Sequence, residues 1–269
     1  MDTKLFFLGI GLAVVIIFCG ASVYGSVEKA TQSHADRETL YQVSTISALA
    51  QGAFGGIQQV SELKKRGDFG IGTFDALDGE MIVYNGRVYK AAADGSVTVA
   101  PDKETTPFAI VTYFDRDYSF TTDKPMNYTM LTDYLTSSIP SKNTVYAVKI
   151  SGTFPAMKVR SVPEQHEPYP SLVAAAANQS VFSFSNIKGT VVGFYLPGYM
   201  NGLNMPGYHL HFISDDRMSG GHILDLEADP NTTIELDGTP QVFALIPEAG
   251  DTKINTSKDV SVDLAKVER

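Results

Sequence analysis

GIGTFDALDGEMIVYNGRVYKAAADGSVTVA, residues 70–100, carries the turn pairs Asp78-Gly79, Asn85-Gly86 and Asp94-Gly95. Such pairs accept the positive backbone angles that tight hairpin turns need, and here they separate β-branched and aromatic runs of about seven residues. This pattern predicts a meander of antiparallel strands. The 23 glycines and 13 prolines are scattered along the chain, as expected where many short strands alternate with turns.

On the N-terminal side, a short helix is expected over Val60 to Arg66, stopped by Gly67. Leu40, Val43, Ile46 and Leu49 recur at helical spacing, which predicts a helix from Thr39 ending at Gly52. Towards the C-terminus the pattern predicts a strand at Phe108 to Phe114, a helix at Asn127 to Ser137 and a strand at Asn143 to Phe154. A polar strand, KVRSV, follows, and then the proline-rich connection PEQHEPYP, residues 163–170. A helix at Ser171 to Asn178 leads into strands at 190–196, 207–213, 223–226 and 232–236. The expected fold is α+β, with two β-sheet-rich domains over residues 39–165 and 166–269 and a few helices.

Leu5 to Gly25 carries no charge and, at about 1.5 Å per residue, is long enough to span a bilayer as a helix. Residues 1–25 therefore read as a signal peptide or membrane anchor, followed by a polar linker over 26–38. The body is expected to work outside the cytoplasm, either secreted or anchored through residues 5–25. Cys19, the one cysteine, lies in this segment, so neither an intramolecular disulfide nor a cysteine-based zinc site is available. The net charge of −9, without clustered Lys or Arg, excludes nucleic acid as a partner, because phosphate binding depends on grouped cations.

Three of the five histidines fall in PGYHLHFISDDRMSGGHILDLE, residues 206–227. Alternate side chains of a strand share a face, so His209 and His211 point the same way. Gly220 and Gly221 suit a turn, and if the flanking strands pair as a hairpin, His222 lies opposite His211. Three imidazoles and an open fourth position describe a catalytic zinc site on a C-terminal β-hairpin. A His-x-His in a strand is also commonly incidental. Asp215, Asp216 and Asp225 are either partners that orient the rings or solvated loop charges. His34 and His166 are assigned no role.

GIGTFDALDGE (70–80), the strand around Arg160, KGTVVGFYLPGYMNGLNMPGYHLHFISDDRMSGGHILD (188–225) and DLAKVE (263–268) together resemble the acetolactate decarboxylase family. The resemblance runs from about Leu40 to the C-terminus. It implies zinc-dependent decarboxylation of 2-acetolactate to acetoin, with the substrate ketone and hydroxyl chelated and a proton delivered to one face of an enediolate. It also implies a homodimer. His209, His211 and His222 would hold one Zn2+ per chain, Glu80, Arg160 and Glu268 would be catalytic, and Thr73 and Arg160 would bind substrate. Read without the resemblance, Glu80 is an exposed hairpin residue, Arg160 a surface arginine, Thr73 an ordinary strand threonine and Glu268 a terminal charge. Two other functions fit the same histidines: a metal-dependent, lactonase- or esterase-like hydrolase, and a non-catalytic surface protein braced by metal. Against common hydrolases, the chain has no His-Glu-x-x-His or Gly-x-Ser-x-Gly motif.

Overall fold

The computed structural model describes residues 37–246, 254–255 and 258–267. The N-terminal segment, His34 and Glu268 lie outside them. Among the described residues no helix is long and apolar enough to cross a membrane.

Two seven-stranded sheets and a few short helices make an α+β fold, as expected. The first sheet is built around the meander. Its strands β3 (Phe69–Thr73), β4 (Glu80–Tyr84), β5 (Arg87–Ala91) and β6 (Val97–Val99) follow one another in space. Asn85 and Gly86, with φ of 51° and 72°, form the two-residue turn between β4 and β5, as their chemistry requires. On the far side of β3 lie β8 (Ala109–Thr112), β1 (Thr39–Val43) and the edge strand β16 (Gln241–Leu245), which runs parallel to β1.

The helix expected from Thr39 is instead β1, followed by the short helices α1, Ile46–Ala50, and α2, Val60–Leu63. Flanked by β8 and β16, β1 buries alternate side chains in different clusters: Leu40 faces the second sheet, while Tyr41 and Val43 face the outer core. Apolar spacing in a strand buried on both faces mimics a helix. Ser44, at φ 60°, ends the strand, and the Thr45 hydroxyl caps α1 by accepting from the Ala48 N–H.

The second sheet centres on two 17-residue strands, β11 (Val145–Ser161) and β12 (Ser180–Leu196), paired along their whole length. The polar strand around Arg160 is thus the end of β11, not a separate element. Next to β12 stand β13 (Gly207–Ser214), β14 (Gly220–Ala228) and the short β10 (Met126–Asn127), and next to β11 stand β15 (Thr233–Thr239) and β9 (Tyr118–Thr121). The division expected at residue 165 does not follow the sheets, since β9 and β11 precede it and β16 returns to the first sheet. The strand β14 also pairs with the far end of β11, so β11, β12, β13 and β14 close into a ring. A bulge in β14 absorbs one residue against Lys158 and Val159.

Leu40, Ile71, Ile82 and Ile110 of the first sheet meet Ala147, Val192, Phe194 and Ile213 of the second in one core. On the opposite face of the second sheet, helix α3 (Tyr128–Ser138) packs Leu131 and Leu135 against Phe154 and Phe212. The Asn127 side chain caps α3 by accepting from the Met130 N–H.

One buried carboxyl stands outside this apolar scheme. Asp237 on β15 accepts from the Asp115 N–H at 3.2 Å. Burial pushes its pKa up to about 7, with the charges of Asp117, Glu38 and Asp115 adding to the effect against that hydrogen bond. Between the ordinary carboxylate value and pH 7 the folded chain therefore holds a proton that the unfolded chain has released, and stability falls as pH rises through 7. Thermal melts should show wild-type losing roughly 1.4 kcal/mol from this group between pH 6 and 8, and Asp237→Asn losing none of it. Parallel pH profiles for the two proteins would contradict the assignment.

Candidate metal centre

The interlayer core gives way to polar side chains at one end, and the reason is register. In β13 the odd positions face the first sheet, so His209 and His211 share that face with Ile213. His222 pairs directly with His211, as the hairpin reading requires, and Arg160 on β11 pairs directly with His222. Residues directly opposite in paired strands project to the same side, so three strands present His211, His222 and Arg160 as one row. From the first sheet, Thr73 and Glu80 are register partners across β3 and β4. Glu80 shares its face with Ile82 and so looks across the layer at the histidines.

His209, His211 and His222 are 7%, 1% and 2% exposed, and their ligand atoms lie within 4.8 Å of one another. The Nδ1–H of His211 donates to the Met81 carbonyl at 2.9 Å. A carbonyl only accepts, so this bond fixes the tautomer and leaves a lone pair on Nε2. That Nε2 is buried and makes no hydrogen bond. Burial holds the His211 pKa well below its ordinary value, and the neighbouring charges of His209 and Arg160 push the same way against the Met81 hydrogen bond. A neutral imidazole with a buried, unspent lone pair is the form that ligates a metal. The three residues thus fit a divalent ion bound by nitrogen.

Glu80 and Arg160 are both buried, at 7% and 5% exposure, not on the surface. Arg160 Nη1 donates to Glu80 Oε1 at 2.9 Å, while Glu80 Oε2 lies 3.7 Å from His211 Nε2. Arg160 Nε is buried without a hydrogen-bond partner and remains a donor for an anionic ligand. The Thr73 hydroxyl donates to the Gly79 carbonyl at 2.8 Å. Thr73, Glu80, Arg160, His209 and His211 line one cavity. Its apolar wall is formed by Ile46 and Leu49 of α1, with Leu77, Phe108, Val162 and Leu172.

Met81 as the carbonyl that orients His211 was not foreseen. Asp216 is engaged by Ser214 and Met218 within its own turn and is a loop charge, whereas Asp225 is an exposed residue of β14 whose carboxylate accepts from the Leu226 N–H. His166 is exposed. The apolar wall left no local signal, because it is assembled from five separated segments. Glu268 lies outside the described residues; the adjacent Val267 is buried with Leu77, Phe108, Val162 and Leu172.

A family model described as alpha-acetolactate decarboxylase matches residues 40–255. The alpha-acetolactate decarboxylase of Methanosarcina mazei is 47% identical over 233 residues, which is 86% of this chain and 81% of that protein. Its namesake in Bacillus subtilis is 42% identical over 212 residues, covering 79% and 83% respectively. The crystal structure of alpha-acetolactate decarboxylase from Bacillus subtilis superposes with a TM-score of 0.83 at 37% identity, over 86% of this chain and 99% of that one. A Staphylococcus aureus protein described as similar to alpha-acetolactate decarboxylase superposes with a TM-score of 0.81 at 31% identity, over 86% and 100%.

Gly221 is a point of close approach between β14 and β11 in the closed ring. Its φ is +148°, and a Cβ there would meet the Arg160 carbonyl at 2.6 Å. Gly221→Ala must push β14 away from β11, carrying His222 out of line. We expect it to destabilise the protein by about 1–3 kcal/mol and to weaken metal uptake. Unchanged melting temperature and metal content in the variant would show that the ring tolerates the displacement.

Proposed function

Given that the chain belongs to the alpha-acetolactate decarboxylase family, and is a carboxy-lyase that decarboxylates acetolactate, we propose that it works with one zinc ion held by His209, His211 and His222. The observation that carries this reading is the convergence of three buried imidazoles, two of which line one cavity with the Glu80–Arg160 pair. Nitrogen ligands and an open position suit zinc, and zinc, when bound, supplies Lewis acidity that draws charge onto the substrate's ketone and hydroxyl oxygens.

The substrate brings a carboxylate, a ketone and a tertiary hydroxyl. Arg160, which lines the cavity, offers its unpartnered Nε–H to the carboxylate or to the oxygens that become negative as carbon dioxide leaves. The breaking C–C bond delivers its electron pair towards the ketone, giving an enediolate. Glu80, held by Arg160 beside His211, is placed to take the hydroxyl proton and to return a proton to carbon. The Thr73 hydroxyl donates its own proton to Gly79, so towards the cavity it presents only acceptor lone pairs. We assign Glu268 as a second acid–base group, supported by the burial of Val267 against cavity-lining residues. The apolar wall keeps bulk water away, so protonation comes from one side and acetoin forms as one enantiomer.

Two further features are proposed. The uncharged run Leu5 to Gly25 supports export or membrane anchoring of the enzyme. Among the described residues β16 is the edge strand of its sheet, and its exposed Val242 and Phe243 support pairing with a second copy in a homodimer.

The decisive assay is acetoin formation from racemic 2-acetolactate. Activity should vanish with chelator and return with zinc. Glu80→Gln should keep its metal and lose about a hundredfold or more in kcat. Full turnover in the stripped enzyme would sink the zinc assignment, and wild-type turnover in Glu80→Gln would sink the role of Glu80.

A further inference from the structure

The turn between β3 and β4 holds an unusual backbone. Ala76 and Leu77 adopt φ of 58° and 60°, and Gly79 adopts 87°. Consecutive left-handed residues bearing a Cβ persist only where surrounding contacts over-determine them. This turn begins at Thr73, ends at Glu80 and puts Leu77 into the cavity wall, so it sets three points of the site.

Some tethers are backbone bonds. The Ala76 N–H donates to the Phe54 carbonyl and the Gly79 N–H to the Val162 carbonyl. The Asp75 carboxylate accepts from the Gly56 N–H. A second charged tether is Lys90 on β5, which pairs in register with Met81, the residue after Glu80. Its side chain is only 16% exposed. Its ammonium donates to Asp78 Oδ2 at 2.7 Å, is paired with Glu104, and stands 4.7 Å from the centre of the buried Phe74 ring. One cation thus grips both ends of the turn, Phe74 at its start through the ring face and Asp78 at its end through an ion pair. Glu104 anchors that cation to the neighbouring connection, whose backbone is itself held by the Val60 N–H.

We propose that Lys90 is a positioning residue for the decarboxylation: through Asp78 and Phe74 it holds the left-handed turn that presents Glu80 and Thr73 to the substrate. The proposal rests on the catalytic reading of Glu80. Lys90 touches no substrate, so its loss should disturb the placement of a reacting group more than substrate binding or the metal.

The test is steady-state kinetics with metal analysis on Lys90→Met, Lys90→Arg, Asp78→Asn and the Lys90→Met/Asp78→Asn double variant. Lys90→Met should lower kcat by about tenfold or more, leave KM within about threefold, and retain zinc as wild-type does. Lys90→Arg should recover most of the loss. Asp78→Asn should lose kcat similarly, and the double variant should lose little beyond either single change. Should Lys90→Met not fold, the kcat of Asp78→Asn and Lys90→Arg decides the matter. A lower melting temperature with wild-type kcat, or fully additive losses, would reduce Lys90 to an ordinary structural residue and overturn the proposal. Glu80→Gln assayed alongside separates the two failures. An inactive Glu80→Gln beside an unimpaired Lys90→Met refutes only the role of Lys90, whereas an active Glu80→Gln removes the reading beneath it.

Discussion

The pairing of β14 with two strands at once is the constraint on which the site depends. With β13 on one side and the far end of β11 on the other, His222 is locked between His211 and Arg160. Neither neighbour can slip by one residue without turning its side chain to the opposite face. The bulge in β14 and the absence of a side chain at Gly221 are what allow the strand to satisfy both partners. The metal ligands and the arginine are therefore placed by backbone hydrogen bonds, and their side chains need little freedom.

The second sheet supplies the ligands, and the first supplies what surrounds them. Where the interlayer core ends, Thr73 and Glu80 replace the isoleucines that face the second sheet elsewhere, and the Met81 carbonyl reaches His211. Burying an arginine, a carboxylate and three imidazoles together is costly unless each is paired. Glu80 with Arg160, and His211 with Met81, offset part of that cost. The remainder is left in open donor and acceptor positions, Arg160 Nε and His211 Nε2, which a metal and an anionic substrate are suited to fill. The same economy appears in the strained turn before Glu80, kept in place by contacts from β5, from Phe54 and from Val162.

Much of this was legible beforehand. The Asn85-Gly86 turn, the helix expected at Asn127 to Ser137 and the alternation of His209 with His211 depend on neighbours within a few residues, and each took close to the expected form. The helix read from Thr39 failed because burial on both faces of β1 gave its apolar residues a spacing that a helix also produces. The strand β16 carried no usable signal, since its parallel pairing with β1 joins residues some two hundred positions apart.

The sequence by itself determined the chemistry: which residues can ligate, where the tight turns fall, and which family the chain resembles. Those properties reside in residue types and short spacings. Only the tertiary structure decided that Glu80 and Arg160 are buried partners and not surface charges, that a main-chain carbonyl selects the tautomer of His211, and that six apolar residues from distant segments wall the cavity. Burial and long-range register come from the packing of one sheet on another, and no local stretch of the chain encodes them alone.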